Sequence, residues 1–288
     1  MANVARRMSP SDSQVRTNAQ NPTRLAENGG VEVLTWTAFD GTPLDAVVTT
    51  RAGGLSGGPY ESLNLALHVG DGEAAVLENR RRALSVLDSD LGALVCANQV
   101  HGTRVSVVGS AERGRGSLAM TDAIPDTDAL VTREPGLVLG VFVADCAPIV
   151  LFDPEAGVLG CAHAGWRGAL GGVIEATIAA MGTLGADPGR TTAGIGPAIS
   201  KARYEVGADV VAAATDHLGD ADPFVRPARP EHWWFDLQGA AHSILIRAGL
   251  AADRISVAPI DTGPPGPFFS ARAEGRCGRF ALLARIRP

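Results

Sequence analysis

Short runs of β-branched and apolar residues recur along the chain, and each is bordered by glycine, proline or aspartate. This pattern is typical of β-strands. One run, at 139–143, is nearly all apolar, as expected for a strand that is covered on both faces. The pattern predicts strands at residues 31–36, 45–50, 93–97, 104–108, 137–144, 149–152 and 158–162.

Between these runs, apolar positions repeat with the period of an α-helix. Leu170, Val173, Ile174, Ile178 and Met181 follow the spacing i, i+3, i+4, i+8 and i+11, which predicts one amphipathic helix. Further helices are predicted at 73–87, at 207–218 and after an aspartate N-cap at position 236.

Strands and helices interleave without a strict βαβ repeat, which favours an α+β fold over a doubly wound sheet. We therefore expect a single mixed α/β domain, residues 31–288, with central sheets flanked by helices. Residues 1–30 are polar and lack the apolar stretch of a secretory signal, so they are predicted to be a disordered N-terminal tail. No apolar run reaches the roughly 18 residues that a membrane helix needs. These features predict a cytoplasmic protein without membrane contact.

The net charge and the cysteine content argue against nucleic-acid binding and in favour of a metal or catalytic site. The net charge is −6, from 25 basic and 31 acidic side chains, so no electrostatic basis for nucleic-acid binding exists. A small anionic ligand would need a local cluster of arginines. The chain has four cysteines and six histidines, and without an export signal the cysteines are expected to be reduced. In that setting a cysteine beside histidines indicates a metal or catalytic site.

Three such side chains stand at the ends of predicted strands. Cys146 follows one apolar strand and His163 ends another, 17 positions later, while His101 follows a third strand in the sequence NQVHG. Two histidines and a cysteine, with water in the fourth position, suit an open zinc site. Copper accepts the same ligand set. Each residue also fits an ordinary structural role, as a hydrogen-bonded histidine or a core cysteine.

Several motifs, in a fixed order, carry a resemblance to a known family. They are TTRAGGLSGGPYESLNLALHVGD, NQVHGTRV, DTDALVT, ADCAPIVLFD, CAHAGWRG, GIGPAISKARYEVG and FDLQGAA. The chain resembles the laccase-domain family, also called the polyphenol oxidase or peptidoglycan editing factor family, of purine nucleoside phosphorylases. The resemblance covers residues 45–285, so it identifies 31–288 as a laccase-domain-like catalytic domain.

The resemblance implies a ligand set and an activity. The family's zinc ligands fall on His101, Cys146 and His163. The implied reactions are phosphorolysis of adenosine, inosine and S-methyl-5′-thioadenosine, and hydrolytic deamination of adenosine. The implied partners are therefore purine nucleosides and phosphate, and the oligomeric state is left open.

Further site residues follow from the same motifs. Arg51 and Arg167 match family arginines and are candidate phosphate or ribose clamps, because a guanidinium offers a fork of donors. Asp145, beside the predicted ligand cysteine, is the candidate proton shuttle. The chain departs from the family pattern near its C-terminus, where Asp261 replaces a cysteine and Ala271 replaces a tyrosine.

Three alternative functions use the same residues. A copper-dependent polyphenol oxidase (laccase) would use His101, Cys146 and His163 as copper ligands, although six histidines are few for a multicopper enzyme. A cysteine hydrolase that edits peptidoglycan precursors would use Cys146 as its nucleophile and a histidine as its base. A non-enzymatic scaffold in cell-wall assembly would show an exposed apolar patch and no pocket behind these side chains.

Overall fold

Two six-stranded sheets pack face to face, and helices cover their outer faces. The computed structural model describes residues 22–288. The strands among them are β1 (Thr23–Asn28), β2 (Val31–Trp36), β3 (Leu44–Thr49), β4 (Leu94–Cys96), β5 (Val105–Val107), β6 (Ala129–Thr132), β7 (Val138–Val143), β8 (Ala147–Asp153), β9 (Val158–Ala164), β10 (Thr192–Ile195), β11 (Glu205–Val206), β12 (Val225–Pro227), β13 (Trp233–Phe235), β14 (Ile255–Val257) and β15 (Phe280–Ile286). The α-helices are α1 (Glu73–Ser85), α2 (Trp166–Gly171), α3 (Val173–Thr183), α4 (Ala208–Leu218), α5 (Leu237–Arg247) and α6 (Ala271–Glu274).

Both large sheets mix parallel and antiparallel neighbours. The first has the order β1-β2-β3-β15-β7-β4 and the second β14-β10-β8-β9-β6-β5, and a small sheet β11-β13-β12 stands apart from them. In the first sheet β15 is antiparallel to β3 and β7, whereas β4 is parallel to β7. The predicted α+β class, with central sheets flanked by helices, is confirmed.

The main core lies between the two sheets and depends on the alternation of side chains along each strand. Leu282 of β15 and Val150 of β8 point into this core. Leu283 points the other way, toward α1, and Ile149 points toward the helices α2 to α5. Because successive side chains leave opposite faces of a strand, central strands covered on both sides must be apolar throughout. This explains the continuous apolar runs of β7 and β8.

The predicted N-terminal tail is wrong in its last part. Residues 1–21 lie outside the described residues, but Thr23–Asn28 form β1, which pairs antiparallel with β2 along its whole length. Most side chains of β1 are exposed, so the strand is held mainly by backbone hydrogen bonds. A polar edge strand of this kind leaves no apolar pattern from which it could be predicted.

The single helix predicted from the apolar stripe is two helices. Gly172 has a φ of +102° and separates α2 from α3. A left-handed glycine ends the hydrogen-bond ladder of the first helix, and the chain restarts as α3 at Val173. The stripe nevertheless identified the buried face correctly, because Val173, Ile174 and Met181 all lie in the core.

The predicted cap of α5 is confirmed. The Asp236 carboxylate accepts the N–H of Gly239 at 2.8 Å, and Leu237, Ala240, Ala241 and Ile244 face inward.

Strand β15 was not predicted, although it is central to the first sheet. Its partners β3 and β7 are far away in the sequence, so no local turn motif indicates that this strand forms.

Among the described residues, no helix has the length and apolarity needed to cross a membrane.

We expect Asp236→Ala to lower the free energy of unfolding by about 1 kcal/mol, because the first turn of α5 loses its side-chain cap. Urea denaturation followed by circular dichroism measures the change. Asp216→Ala is the matched control, since Asp216 is exposed near the end of α4 and caps no helix. Equal unfolding midpoints for the two variants would contradict the capping role.

Candidate active site

The β8–β9 hairpin brings Cys146 and His163 together. Cys146 directly precedes β8, and Ala147 lies opposite Ala164 at the open end of the hairpin. The turn at the other end is held by Asp153, whose carboxylate accepts the N–H groups of Glu155 and Ala156. A tight hairpin of two buried strands therefore sets both side chains at one sheet edge.

His101 joins this pair from the loop before β5. Nitrogen and sulfur donor atoms of His101, Cys146 and His163 all lie within 4.8 Å of one another. The two imidazole rings are 4.7 Å apart, centroid to centroid, at an interplanar angle of 70°. His163 is buried, Cys146 is partly exposed and His101 is exposed, so the cluster opens to one side. The predicted constellation is brought together by the structure.

The fully buried carboxylate of Asp128 organises the cluster. Its Oδ1 lies 2.8 Å from His163 Nδ1 and accepts the backbone N–H of His101 at 2.9 Å. Its Oδ2 accepts the N–H groups of Gly102 at 2.7 Å and Val100 at 3.2 Å. Three successive N–H groups thus surround one anion, and His101 takes the positive φ of 59° that this arrangement needs.

These hydrogen bonds also fix a protonation pattern. Burial by itself would raise the pKa of Asp128, but the hydrogen bonds from His163, Gly102 and Val100 outweigh it, so the pKa lies below its ordinary value. The ionised carboxylate accepts the Nδ1 proton of His163, which leaves Nε2 as the free ring nitrogen. A histidine held in this way is oriented as a metal ligand or as a base.

Cys146 and His163 shift each other's pKa in the metal-free protein. Burial opposes ionisation of the Cys146 thiol, but His163 and His101 outweigh burial and lower the pKa of Cys146 to about 6. Burial likewise opposes protonation of His163, but Cys146 and Asp128 raise the pKa of His163 to about 9. Without metal, the pair is therefore a thiolate beside an imidazolium near neutral pH.

Glycines allow the cluster to pack this closely. A Cβ atom at Gly165 would lie 2.9 Å from Cys146 Sγ and 3.0 Å from an atom of the His101 ring. A Cβ atom at Gly168 would lie 3.0 Å from the carbonyl oxygen of Gly102. The glycines of HAGWRG are therefore required by close approach of the two loops.

The cluster stands in the wall of an open cleft of about 320 Å³. The cleft is lined by His101, Asp145, Cys146, Gly165, Trp166, Arg167, Ile199, Tyr204, Ala271 and Arg272. A second cavity of about 370 Å³ shares Trp166, Arg167, Tyr204 and Arg272 with it. The scaffold alternative expected no pocket behind the cluster, and the structure has one.

Asp145 and Arg167 both lie on this cleft. The Asp145 carboxylate is held by the Thr262 hydroxyl at 2.6 Å and by the backbone N–H of Arg272 at 2.7 Å. The Arg167 guanidinium stacks on the Trp166 ring at 4.3 Å and has no acidic partner among residues 22–288. A guanidinium in a cleft that forms no ion pair is available for an anionic ligand.

Arg51 does not line the cleft. Its Nη1 donates to Glu274 Oε2 at 3.0 Å, its Nε donates to the carbonyl of Glu61, and it stacks on Phe269 at 4.4 Å. Direct phosphate binding, which the sequence motif suggested, does not agree with this position. Arg51 instead holds Glu274 and so the short helix α6.

Sequence reasoning missed three residues of the candidate site: Asp128, which contacts His163, and Tyr204 and Arg272, which line the cleft. Asp128 lies in the quoted motif DTDALVT, and its position after a loop of small polar residues was the available signal. Tyr204 lies in the motif GIGPAISKARYEVG, and Arg272 directly follows Ala271, which differs from the family pattern. No local pattern shows that Tyr204 and Arg272 reach the cleft or that Asp128 contacts His163, because two separate loops and α6 carry these residues.

Asp261, which stands where the family pattern has a cysteine, has a structural role. Its Oδ1 accepts the N–H of Ser200 at 2.8 Å, and its Oδ2 pairs with Arg203 at 3.3 Å. Ala271, where the family pattern has a tyrosine, lines the cleft.

We expect Asp128→Asn to weaken metal binding at the cluster, measured with zinc, by roughly 10- to 100-fold, because the candidate ligand His163 loses the charged acceptor that orients it. Competition with a chromophoric chelator measures the dissociation constant. Asp126→Asn is the matched control, because Asp126 is exposed two residues away and contacts only the Asn98 amide, at 3.5 Å. Unchanged affinity in the Asp128 variant would contradict its orienting role.

Comparison with known proteins gives consistent results. A family model described as multi-copper polyphenol oxidoreductase laccase matches residues 45–287. The purine nucleoside phosphorylase ORF3 of Streptomyces griseus is 41% identical over 236 residues, which cover 81% of this chain and 90% of that protein. The purine nucleoside phosphorylase YlmD of Geobacillus stearothermophilus is 38% identical over 245 residues, which cover 84% and 89%.

Solved structures show the same fold. The hypothetical protein YfiH of Bacillus licheniformis matches with a TM-score of 0.87 and 30% identity, covering 93% of this chain and 100% of that one. The crystal structure of YlmD from Geobacillus stearothermophilus matches with a TM-score of 0.86 and 36% identity, covering 91% and 98%. The predicted resemblance is confirmed: the chain belongs to the laccase-domain family, described as multi-copper polyphenol oxidoreductase laccase.

Proposed function

We propose that this protein is a zinc-dependent purine nucleoside enzyme that cleaves adenosine, inosine and S-methyl-5′-thioadenosine with phosphate and deaminates adenosine with water. The observation that carries the proposal is the His101–Cys146–His163 cluster, which opens onto a cleft containing an unpaired guanidinium. Relatives named purine nucleoside phosphorylase support the substrate class.

The donor set fits a zinc ion. His101 and His163 offer nitrogen and Cys146 offers sulfur, and His163 keeps Nε2 free because Nδ1 faces Asp128. Three protein ligands with an open fourth position are typical of catalytic zinc. When bound, zinc would supply a Lewis acid and a water of lowered pKa at the mouth of the cleft.

The cleft supplies surfaces for both parts of a nucleoside. The side chains of Trp166 and Ile199 offer apolar contact to a purine ring, and Arg167 offers charge-assisted hydrogen bonds to phosphate. In phosphorolysis a phosphate oxygen bonds to C1′ of the ribose while the bond from C1′ to the purine nitrogen breaks. The bonding electrons leave with the purine, which takes up a proton.

Asp145 is the proposed proton carrier for deamination. Replacement of the amino group at C6 by water requires transfer of a proton from the attacking water to the departing ammonia. Asp145 lies on the cleft beside Cys146, and Thr262 and the Arg272 N–H hold its carboxylate in place. Each carboxylate oxygen retains a free lone pair, because each accepts one of these hydrogen bonds.

A second candidate is a cysteine hydrolase that edits peptidoglycan precursors. The observation that favours it is that His163 contacts Asp128 through Nδ1 and also lies in one cluster with Cys146. The three residues could then act as nucleophile (Cys146), base (His163) and orienting carboxylate (Asp128). Zinc would compete with this chemistry, since a zinc-bound thiolate is a poor free nucleophile. Metal content therefore separates the two candidates.

Protein purified without added metal is expected to contain about one zinc ion per chain. Cys146→Ser, His101→Ala and His163→Ala should each lose most of it, as measured by inductively coupled plasma mass spectrometry. His242→Ala, a histidine on α5 outside the cluster, is the control and should keep its zinc.

Full zinc occupancy in all three ligand variants would show that the ligand assignment is wrong. Copper in place of zinc would favour the polyphenol oxidase alternative. A metal-free protein that turns over an amide substrate would favour the hydrolase.

Arg167→Lys should separate the two reactions, because only phosphorolysis needs bound phosphate. Loss of a bidentate guanidinium contact costs on the order of 1.5–3 kcal/mol, which is roughly a ten- to hundredfold fall in phosphorolysis at sub-saturating phosphate. Deamination should fall much less. The measurement is hypoxanthine release from inosine with phosphate and inosine formation from adenosine without it. Equal losses would mean that Arg167 holds the nucleoside.

A further inference from the structure

A second arginine, Arg272, lines the cleft together with Arg167. Arg272 lies on α6 and lines both cavities, as Arg167 does. Its Nη1 donates to the carbonyl of Glu205 at 2.7 Å, and the guanidinium carbon lies 5.1 Å from the centre of the Tyr204 ring. These contacts leave Nε and Nη2 of Arg272 without a partner among the described residues.

Helix α6 is fixed at both ends, so Arg272 is held in position. At the start of the helix, Asp145 accepts the N–H of Arg272 and Ser270 accepts that of Ala273. At its end, Glu274 is paired with Arg51 and also accepts the N–H of Ser270. A guanidinium on such a clamped turn loses little conformational entropy when it binds a ligand.

Tyr204 adds a hydroxyl to the same two cavities as the two arginines. Its side chain is 9% exposed and packs against Phe235, with ring centres 6.1 Å apart. The hydroxyl has no hydrogen-bond partner among residues 22–288, although Tyr204 lines both cavities. Packing of the ring thus holds the hydroxyl at the cavity wall, where it has no partner in the part of the chain that the structure describes and is available to a ligand.

No acidic residue near the two cavities forms an ion pair with Arg167 or Arg272 among the described residues. Glu205 is paired with Arg229 at 2.8 Å, and the Asp145 carboxylate is occupied by Thr262 and the backbone. Asp209 lines the outer cavity but forms no ion pair with either arginine. Arg167 and Arg272 therefore have no ion-pair partner among residues 22–288, and their guanidinium groups can pair with an anionic ligand.

We infer that Arg167, Arg272 and the Tyr204 hydroxyl form a binding subsite for a tetrahedral oxyanion, namely the attacking inorganic phosphate. Two guanidinium groups and a hydroxyl supply the donors that phosphate oxygens require. The inference rests on the proposed phosphorolysis, and it assigns phosphate binding to Arg272 where the sequence motif pointed to Arg51.

The test uses the full-length, zinc-loaded protein and inorganic phosphate as the probe. Calorimetry measures the dissociation constant of phosphate, and initial rates at saturating inosine measure its KM. Arg272→Gln and Arg167→Gln should each raise both constants roughly tenfold or more, and Arg272→Lys should recover part of the loss. Tyr204→Phe, which keeps the ring and removes the hydroxyl, should raise them by a smaller factor. The KM for inosine should change much less than that for phosphate.

Arg226→Gln is the matched control, because Arg226 is an exposed arginine on β12 that lines neither cavity. It should leave both phosphate constants unchanged. Thermal unfolding of each variant distinguishes a local loss of binding from a loss of fold, and the Lys and Phe variants keep most of the packing.

Two results would overturn the subsite: wild-type protein that does not bind phosphate, or unchanged phosphate constants in all the Arg272, Arg167 and Tyr204 variants. Tighter binding of a nucleoside 5′-monophosphate through the same residues, with exclusion of inorganic phosphate, would overturn its assignment to free phosphate. Phosphate binding that depends on these residues, without cleavage of any nucleoside, would refute the proposed function and leave the oxyanion subsite standing.

Discussion

The carboxylate of Asp128 is the interaction on which the site depends. It binds three consecutive N–H groups of the loop at 100–102 and the ring of His163, so it joins that loop to β9. A buried carboxylate with four hydrogen bonds is stable only while all the donors stay in place. The positions of two cluster histidines are therefore coupled through one side chain that does not itself belong to the cluster.

The two-sheet core makes this arrangement possible. Because β8 and β9 are covered on both faces, their backbone positions are fixed by packing on either side. The hairpin then presents Cys146 and His163 at its open end with little freedom to move. Gly165 and Gly168 let the loop of His101 approach within contact distance, where any larger residue would collide.

The C-terminal part of the chain completes the cleft from the other side. Strand β15 fills the centre of the first sheet, and α6 just before it carries Arg272 into the cleft. Arg51, near the start of the folded region, reaches this helix through Glu274. The cleft thus unites segments 171 positions apart, from His101 to Arg272, and its charge depends on which arginines find acidic partners within the fold.

The local sequence pattern was sufficient to predict elements that are continuously apolar or clearly periodic, such as β7, β8, β9 and α5. It did not predict strands that are stabilised mainly by backbone pairing or by partners distant in the sequence. Strand β1 is polar and held by backbone pairing, and β15 is flanked by strands far away in the sequence. The single apolar stripe could not reveal that Gly172 takes a left-handed conformation, because periodicity describes which side chains are buried and leaves the backbone torsion open.

The same division holds for the site. Residue type, strand ends and motif resemblance were enough to select His101, Cys146 and His163, since few side chains bind zinc and the chain has few histidines. The roles of the arginines were decided only by tertiary structure. Arg51 and Arg167 are equivalent in sequence as cations near glycines, yet Glu274 pairs with the first while the second lines the cleft without an ion-pair partner among the described residues. A guanidinium that is paired with a carboxylate stabilises the fold, whereas an unpaired one can bind a ligand. The sequence around an arginine does not show which case applies, because the carboxylate comes from a distant segment of the chain, as Glu274 does for Arg51.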